Sequence, residues 1–220
     1  MDLKTRKILE QDVKKVSEFF PKLKLVWASK FSTWSLDGEL DICDINGEYW
    51  STFEIIVYIP KSYPNGIPLV EEKSNLIPRE IDRHISEEGY CCLDVTHKLS
   101  YKALTGIYLL EFLQNSVYPY FANQLYYNKN EHFAGAEYKH NFDGVIQFYD
   151  ESLNVKDAKS AILILEGIIL NNIPGRNDNC LCGSNKKMKQ CHIKTIDFLK
   201  SLDKKLLEDD LARFKKLLPK

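Results

Sequence analysis

Two short stretches carry most of the side chains in this chain that can do chemistry. The first is GRNDNCLCGSNKKMKQCH, residues 175–192. Cys180 and Cys182 are separated by one residue, and Cys191-His192 follows after a further eight. Three thiolates and one imidazole so close together are the donor set that Zn²⁺ takes in a closed tetrahedral site, with no position left for water or substrate. One structural Zn²⁺ per chain, held by Cys180, Cys182, Cys191 and His192, is therefore expected. With few apolar residues around it, such a segment would draw its folding energy from the metal. Gly183 permits the tight backbone between the ligand pairs. Lys186, Lys187 and Lys189 make a basic loop, either a solvated face or a contact for an acidic surface. The second stretch is GYCCLDV, residues 89–95. Neighbouring residues of an extended segment point to opposite sides. Only one of Cys91 and Cys92 can then face a groove, while the other is buried as a small hydrophobe. Periodicity does not say which. The sixth cysteine, Cys43, falls in a strand and reads as core.

The wider composition bounds what these groups can serve. The chain has 220 residues, 44% hydrophobic and 28% charged, with a net charge of -1. No global basic field points to nucleic acid, and no direct nucleic-acid binding is expected. MDLKTRKILEQDVKK is charged throughout and lacks the apolar stretch of a signal peptide. The most apolar run, AILILEGIIL at 161–170, contains Glu166 and is too short to span a bilayer. A cytoplasmic protein without membrane contact is expected, in which cysteine means metal, catalysis or core rather than disulfide. No GxxxxGK[ST] and no dinucleotide fingerprint occur, so the chain has no visible means of activating a carboxylate itself.

The elements that must position these groups change period along the chain. Residues 2–20 have an amphipathic helical pattern through Ile8, Leu9, Val13, Val16 and Phe19, stopped by Pro21. Four short aromatic and β-branched runs follow at 22–29, 38–45, 50–60 and 66–72, with Asn46-Gly47 as a hairpin signal between the second and third. A loop of roughly 18 residues containing Pro78 leads to the cysteine pair; loops of that length are usually functional. Helical patterns then run to about residue 171. NNIPGRNDN reads as a linker, and a last amphipathic helix carries Ile193, Ile196, Leu199, Leu202, Leu206, Phe214 and Leu217 on one face. The fold class is α+β, an antiparallel four-stranded meander with helices on one face. The expected organisation is a domain over 1–152, a helix and linker over 153–176, and a metal-binding segment with its helix over 177–220.

The cysteine cluster, its GRNDxCxCGS opening, its lysine pair and its CH together resemble the SEC-C motif of the bacterial secretion ATPase, with Asn185 standing where that motif has glycine. SYPNGIPLV (62–70) resembles the YPxxPPxV segment of ubiquitin-conjugating enzymes, with Ile67 in place of one proline. DRHISEEGYCCLDV (82–95) resembles their active-site segment, in which HPN precedes GxxCLD. The resemblance covers roughly residues 1–150, and GAEYKHNFDGVIQFYDE (135–151) places it with the bacterial branch often found in antiphage operons. It implies the conjugating-enzyme (UBC-like) fold, Cys92 as nucleophile and Cys91 as the inward thiol. It implies that Cys92 takes the C-terminal carboxyl of a small modifier as a thioester and passes it to a lysine amine. The partners would be an ATP-dependent activating enzyme, a ubiquitin-like modifier or a partner protein with a C-terminal carboxyl to be conjugated, and, as a separate partner, a cyclic-nucleotide synthase. His84 stands at the position of the family's asparagine. A neutral imidazole there can donate a hydrogen bond to an oxyanion or act as a base; its plain alternative is a structural loop residue. No acidic counterpart of the family's later loop is evident around Asn123. His97, His132 and His140 read as loop or surface histidines. Two other functional readings remain: a catalytically inert binding module of the same fold that docks through the metal segment, and a Cys-His hydrolase that removes such modifiers.

Overall fold

The computed structural model describes residues 3–135 and 138–218, which form two compact units, one on each side of that gap. Ala136 and Glu137 of the GAEYKHNFDGVIQFYDE stretch lie outside the described residues.

The first unit opens with α1 (Leu3–Phe19), whose Leu9 and Val16, two turns apart, are buried. Four strands follow: β1 (Leu23–Ala28), β2 (Thr33–Cys43), β3 (Tyr49–Tyr58) and β4 (Leu69–Glu72). They pair antiparallel in sequence order, as an α+β meander. The second strand begins earlier than its apolar pattern suggests. Trp34 sits directly opposite Trp27 of β1, ring edge to ring face at 5.5 Å, and this cross-strand pair extends the ladder back to Thr33. The Asn46-Gly47 signal is realised as a turn in which Gly47 N–H donates to Asp44 O at 3.0 Å and Gly47 takes φ 84°. Alternation puts Leu36, Leu40, Phe53, Ile55, Val57 and Val70 on one face, all buried. Against that face lies α4 (Tyr118–Asn130), with Phe121 on Phe53 at 4.7 Å. The opposite face is charged, with Lys22 bridging Glu39 and Asp41 and Lys73 bridging Asp37.

In the chain, α2 (Thr96–Thr105) and α3 (Leu109–Phe112) come between β4 and α4, parted by Gly106 at φ 105°. A π turn at Leu113–Val117 then joins α3 to α4. Its cause is Pro119, which has no N–H to give and whose ring crowds the preceding turn; widening the helix there relieves the clash. Asp12 of α1 is buried, and its carboxylate accepts from the Tyr63 hydroxyl and the Leu109 N–H, tying α1 to the loop after β3 and to α3.

The second unit contains α5 (Asn141–Leu153), α6 (Ala158–Ile169), α7 (Ile193–Lys200) and α8 (Lys204–Lys216). The sequence pattern carries the first domain to residue 152, but the compact units divide ahead of α5. The reason is packing: Phe148 lies on Phe198 at 5.9 Å, and Tyr149 lies on Phe214 at 5.0 Å with its hydroxyl donating to Asp210 at 2.8 Å. The AILILEGIIL run forms α6, capped by the Asp157 carboxylate on Ser160 N–H at 2.8 Å, and buries Ile162, Ile164 and Leu165. No helix among the described residues is long and apolar enough to cross a membrane. The last amphipathic pattern is two helices rather than one. Asp203 breaks it, because its carboxylate takes the Lys205 N–H at 2.8 Å and starts α8 as an N-cap.

Candidate metal centre and candidate thiol site

The metal-ligand segment is a hairpin followed by a turn and a helix start. Cys180 N–H donates to Lys186 O at 2.8 Å, and Met188 N–H donates to Asp178 O at 2.8 Å. Cys191 ends the short 3-10 turn Met188–Gln190, and His192 begins α7. One ligand atom from each of Cys180, Cys182, Cys191 and His192 lies within 4.8 Å of all the others. The closest approaches are 3.4 Å from Cys180 Sγ and 3.2 Å from Cys191 Sγ to His192 Nδ1, and 3.6 Å between Cys182 and Cys191 Sγ. Ligands at ordinary Zn–S and Zn–N lengths around a tetrahedral ion stand about 3.5–3.8 Å apart. The donor set and its spacing therefore fit a metal ion such as zinc.

Two further groups prepare the ligands. His192 Nε2 lies 2.9 Å from Asn154 O. A carbonyl only accepts, so Nε2 carries the hydrogen and the Nδ1 lone pair faces the thiols. Ser184 Oγ lies 3.1 Å from Cys182 Sγ and 3.4 Å from Cys191 Sγ. Burial pushes the Cys180 thiol up. At Cys182 burial acts in the same sense, but the hydroxyl and amide of Ser184 and the neighbouring thiols outweigh it and bring the group down.

Residues 176–194 match the SEC-C motif. All four ligands lie inside that span. No curated protein matches the chain. The SEC-C segment is not the coreless tail its composition suggests. Cys180 and Met188 are buried, and Thr195 Oγ1 donates to Leu153 O at 2.8 Å. Gly167 of α6 leaves room for Leu181, whose Cδ1 would lie 2.5 Å from a Cβ there. The linker is correspondingly shorter than NNIPGRNDN: Asp178 Oδ2 already accepts from Gly175 N–H at 2.8 Å as the hairpin begins. Lys186, Lys187 and Lys189 are exposed.

In the first unit, the loop after β4 is anchored by an ion pair between the buried Glu72 and the half-buried Arg79. Arg79 Nη1 lies 2.6 Å from Glu72 Oε2, and Arg79 Nη2 donates to Glu72 O at 2.8 Å and Asn75 Oδ1 at 2.9 Å. Gly89 fits between this pair and β4 at φ 91°; a Cβ there would lie 2.7 Å from Glu72 O. Gly89→Ala is expected to destabilise the first unit. The left-handed conformation alone costs about 1–2 kcal/mol, and displacing a strand carbonyl adds to it. Urea denaturation followed at a first-unit tryptophan checks this: an unchanged midpoint refutes the assignment.

Beyond Gly89 the chain forms a short added strand. Tyr90 pairs with Glu71 and Cys91 with Ile85; Cys91 N–H donates to Val70 O and Cys92 N–H to His84 O, both at 2.8 Å. Cys91 is the buried thiol and Cys92 the exposed one. Burial pushes the Cys91 thiol up to about 12, with the Tyr120 hydroxyl acting against it. The Cys92 thiol is also raised, first by the protein packed around its base and then by the Asp94 carboxylate.

His84 ends the 3-10 turn Ile81–Arg83 in the left-handed region, at φ 50°. Its carbonyl accepts from Cys92 N–H and, at 3.1 Å, from the Tyr120 hydroxyl, and its ring lies 5.8 Å from that of Phe133. The turn is clamped to α4 by Arg83, which is buried. Its guanidinium donates to Gln124 Oε1 at 2.8 Å and Asn128 Oδ1 at 2.7 Å and lies over the Tyr127 ring at 4.3 Å, while Gln124 Nε2 returns a bond to Arg83 O at 2.8 Å. Sequence reasoning singled out none of Arg79, Arg83, Tyr120 or Gln124; the last three have partners 36 or more positions away, whereas Arg79 bonds close by in the chain, to Glu72 and Asn75. Asn123 has a structural task, taking Ala134 N–H at 2.7 Å. His97 differs from the surface residue expected: it lies on the inward side of α2 and is buried. His132 is exposed, His140 precedes α5, and Cys43 is half-buried at the end of β2.

Proposed function

We propose that the first unit is an acyl carrier of the ubiquitin-conjugating type, of UBC-like fold, acting in the cytoplasm. The Cys92 thiolate attacks the activated carbonyl at the C-terminus of a small modifier or partner protein and expels the activating enzyme's leaving group. A lysine amine then attacks the thioester, the Cys92 thiolate leaves, and an amide forms. The observation that carries the reading is the pair of thiols after Gly89: Cys92 is presented to solvent from a short added strand, while Cys91 is locked into the core. We further propose that the SEC-C segment holds Zn²⁺, which closes the hairpin and leaves no site for substrate.

The test mixes the protein with the activating enzyme encoded beside it, ATP and the candidate modifier, and reads a non-reducing gel. An adduct that thiols release supports the reading. No adduct with a proven partner favours the inert module docking through the SEC-C segment.

His84→Ala is expected to load normally but to slow transfer to an amine by on the order of a hundredfold, as loss of one oxyanion donor does. Alanine is also strained at a left-handed position, so His84→Asn, which tolerates it, serves as the control. Equal aminolysis of the loaded thioester in wild type and His84→Ala would leave His84 only its backbone role beneath Cys92.

A further inference from the structure

The SEC-C match begins at residue 176, yet the metal-facing histidine is held from outside it. His192 Nε2–H donates to the carbonyl of Asn154, the residue that ends α5 in the left-handed region at φ 56°. Val155 N–H, the next donor along the chain, turns back to Tyr149 O at 2.9 Å and fixes the plane of that carbonyl. One residue before, Leu153 O receives the Thr195 hydroxyl from α7 at 2.8 Å. The last turn of α5 thus presents two consecutive carbonyls to the helix that starts with a metal ligand. On the other side of the cluster, Leu181 packs into the notch at Gly167 of α6.

From this geometry we infer that Asn154 is a positioning residue for the metal and that the metal-binding module includes the C-terminal turn of α5, not the SEC-C segment alone. The inference rests on the reading of the cysteine cluster as a metal site. Its chemistry is that of an outer partner: the Asn154 carbonyl holds the imidazole in the tautomer that turns Nδ1 to the thiols and makes that nitrogen a better donor. Loss of such a partner typically weakens metal affinity 10–100-fold. The side chain at 154 matters through the backbone it allows. Asparagine and glycine accept a left-handed φ, whereas a β-branched residue opposes it and would swing the carbonyl away.

The experiment titrates the full chain with Co²⁺, whose visible d–d absorption reports tetrahedral thiolate ligation, against a competing chelator. Far-UV circular dichroism is recorded on each variant. Wild type and Asn154→Gly should bind one Co²⁺ with affinities within a few-fold of each other, and Asn154→Val should bind roughly 10–100-fold more weakly while keeping its helical signal. In the Zn²⁺-loaded wild type, a long-range ¹H–¹⁵N spectrum should show His192 protonated at Nε2. Equal Co²⁺ affinity of Asn154→Val and wild type, or a His192 metallated through Nε2, overturns the inference and leaves the metal site standing. Absence of Co²⁺ binding by wild type overturns both. If Asn154→Val loses its helical signal, the spectrum of the wild type alone decides.

Discussion

Cys92→Ala is expected to abolish the thiol-sensitive adduct altogether, and Cys92→Ser to replace it with one that thiols no longer release. A hydroxyl in the same place forms an oxyester, which is far less prone to exchange than a thioester. Cys91→Ser should still load. Its cost is stability, because a hydroxyl loses more than a thiol on leaving water for the core where Cys91 lies, a loss that the Tyr120 hydroxyl beside it offsets only in part. The asymmetry follows from the short strand beside β4. The N–H of Cys91 is given to Val70 and that of Cys92 to His84, so the strand cannot slip by one residue without losing both bonds. Loading that survives Cys92→Ala and disappears in Cys91→Ala would show that the two thiols had been assigned the wrong way round.

The second large effect is expected at the metal. Cys182→Ser should lower bound zinc from one per chain to none, as measured by elemental analysis after desalting, because three remaining ligands with an exposed hairpin do not close a tetrahedral site. Composition alone suggests that everything beyond the linker would then loosen. The structure narrows that expectation, because α8 lies beyond the linker yet packs its Phe214 on Tyr149 of α5 without help from the thiols. The hairpin should lose hydrogen-exchange protection at Cys180, Met188 and Lys189, whose N–H groups bond only within it, while α6 should keep its protection. Helix α6 buries Ile164 and Leu165 and is capped by Asp157 independently of the thiols. Full retention of zinc in Cys182→Ser would sink the metal assignment. Unfolding of α6 together with the hairpin would show that the core of this unit depends on the metal after all.

What the sequence by itself determined is whatever depends on local spacing. Four candidate ligands of two types within 13 residues pointed to the metal cluster, since Cys-X-Cys and Cys-His bring their donors together through short backbone geometry. Period-two alternation and Asn46-Gly47 identified a meander, and the vicinal cysteines implied one inward and one outward thiol. Only the tertiary structure decided the rest, because the deciding partners are remote in sequence. Arg83 finds Gln124 across 41 positions, and His192 finds Asn154 across 38. Likewise α5 belongs with the SEC-C segment because Phe148 and Tyr149 bury against Phe198 and Phe214, aromatic contacts that no local pattern announces. Hydrophobic burial has no direction of its own. A helical stripe therefore states that a face will be covered, and the fold alone states by what.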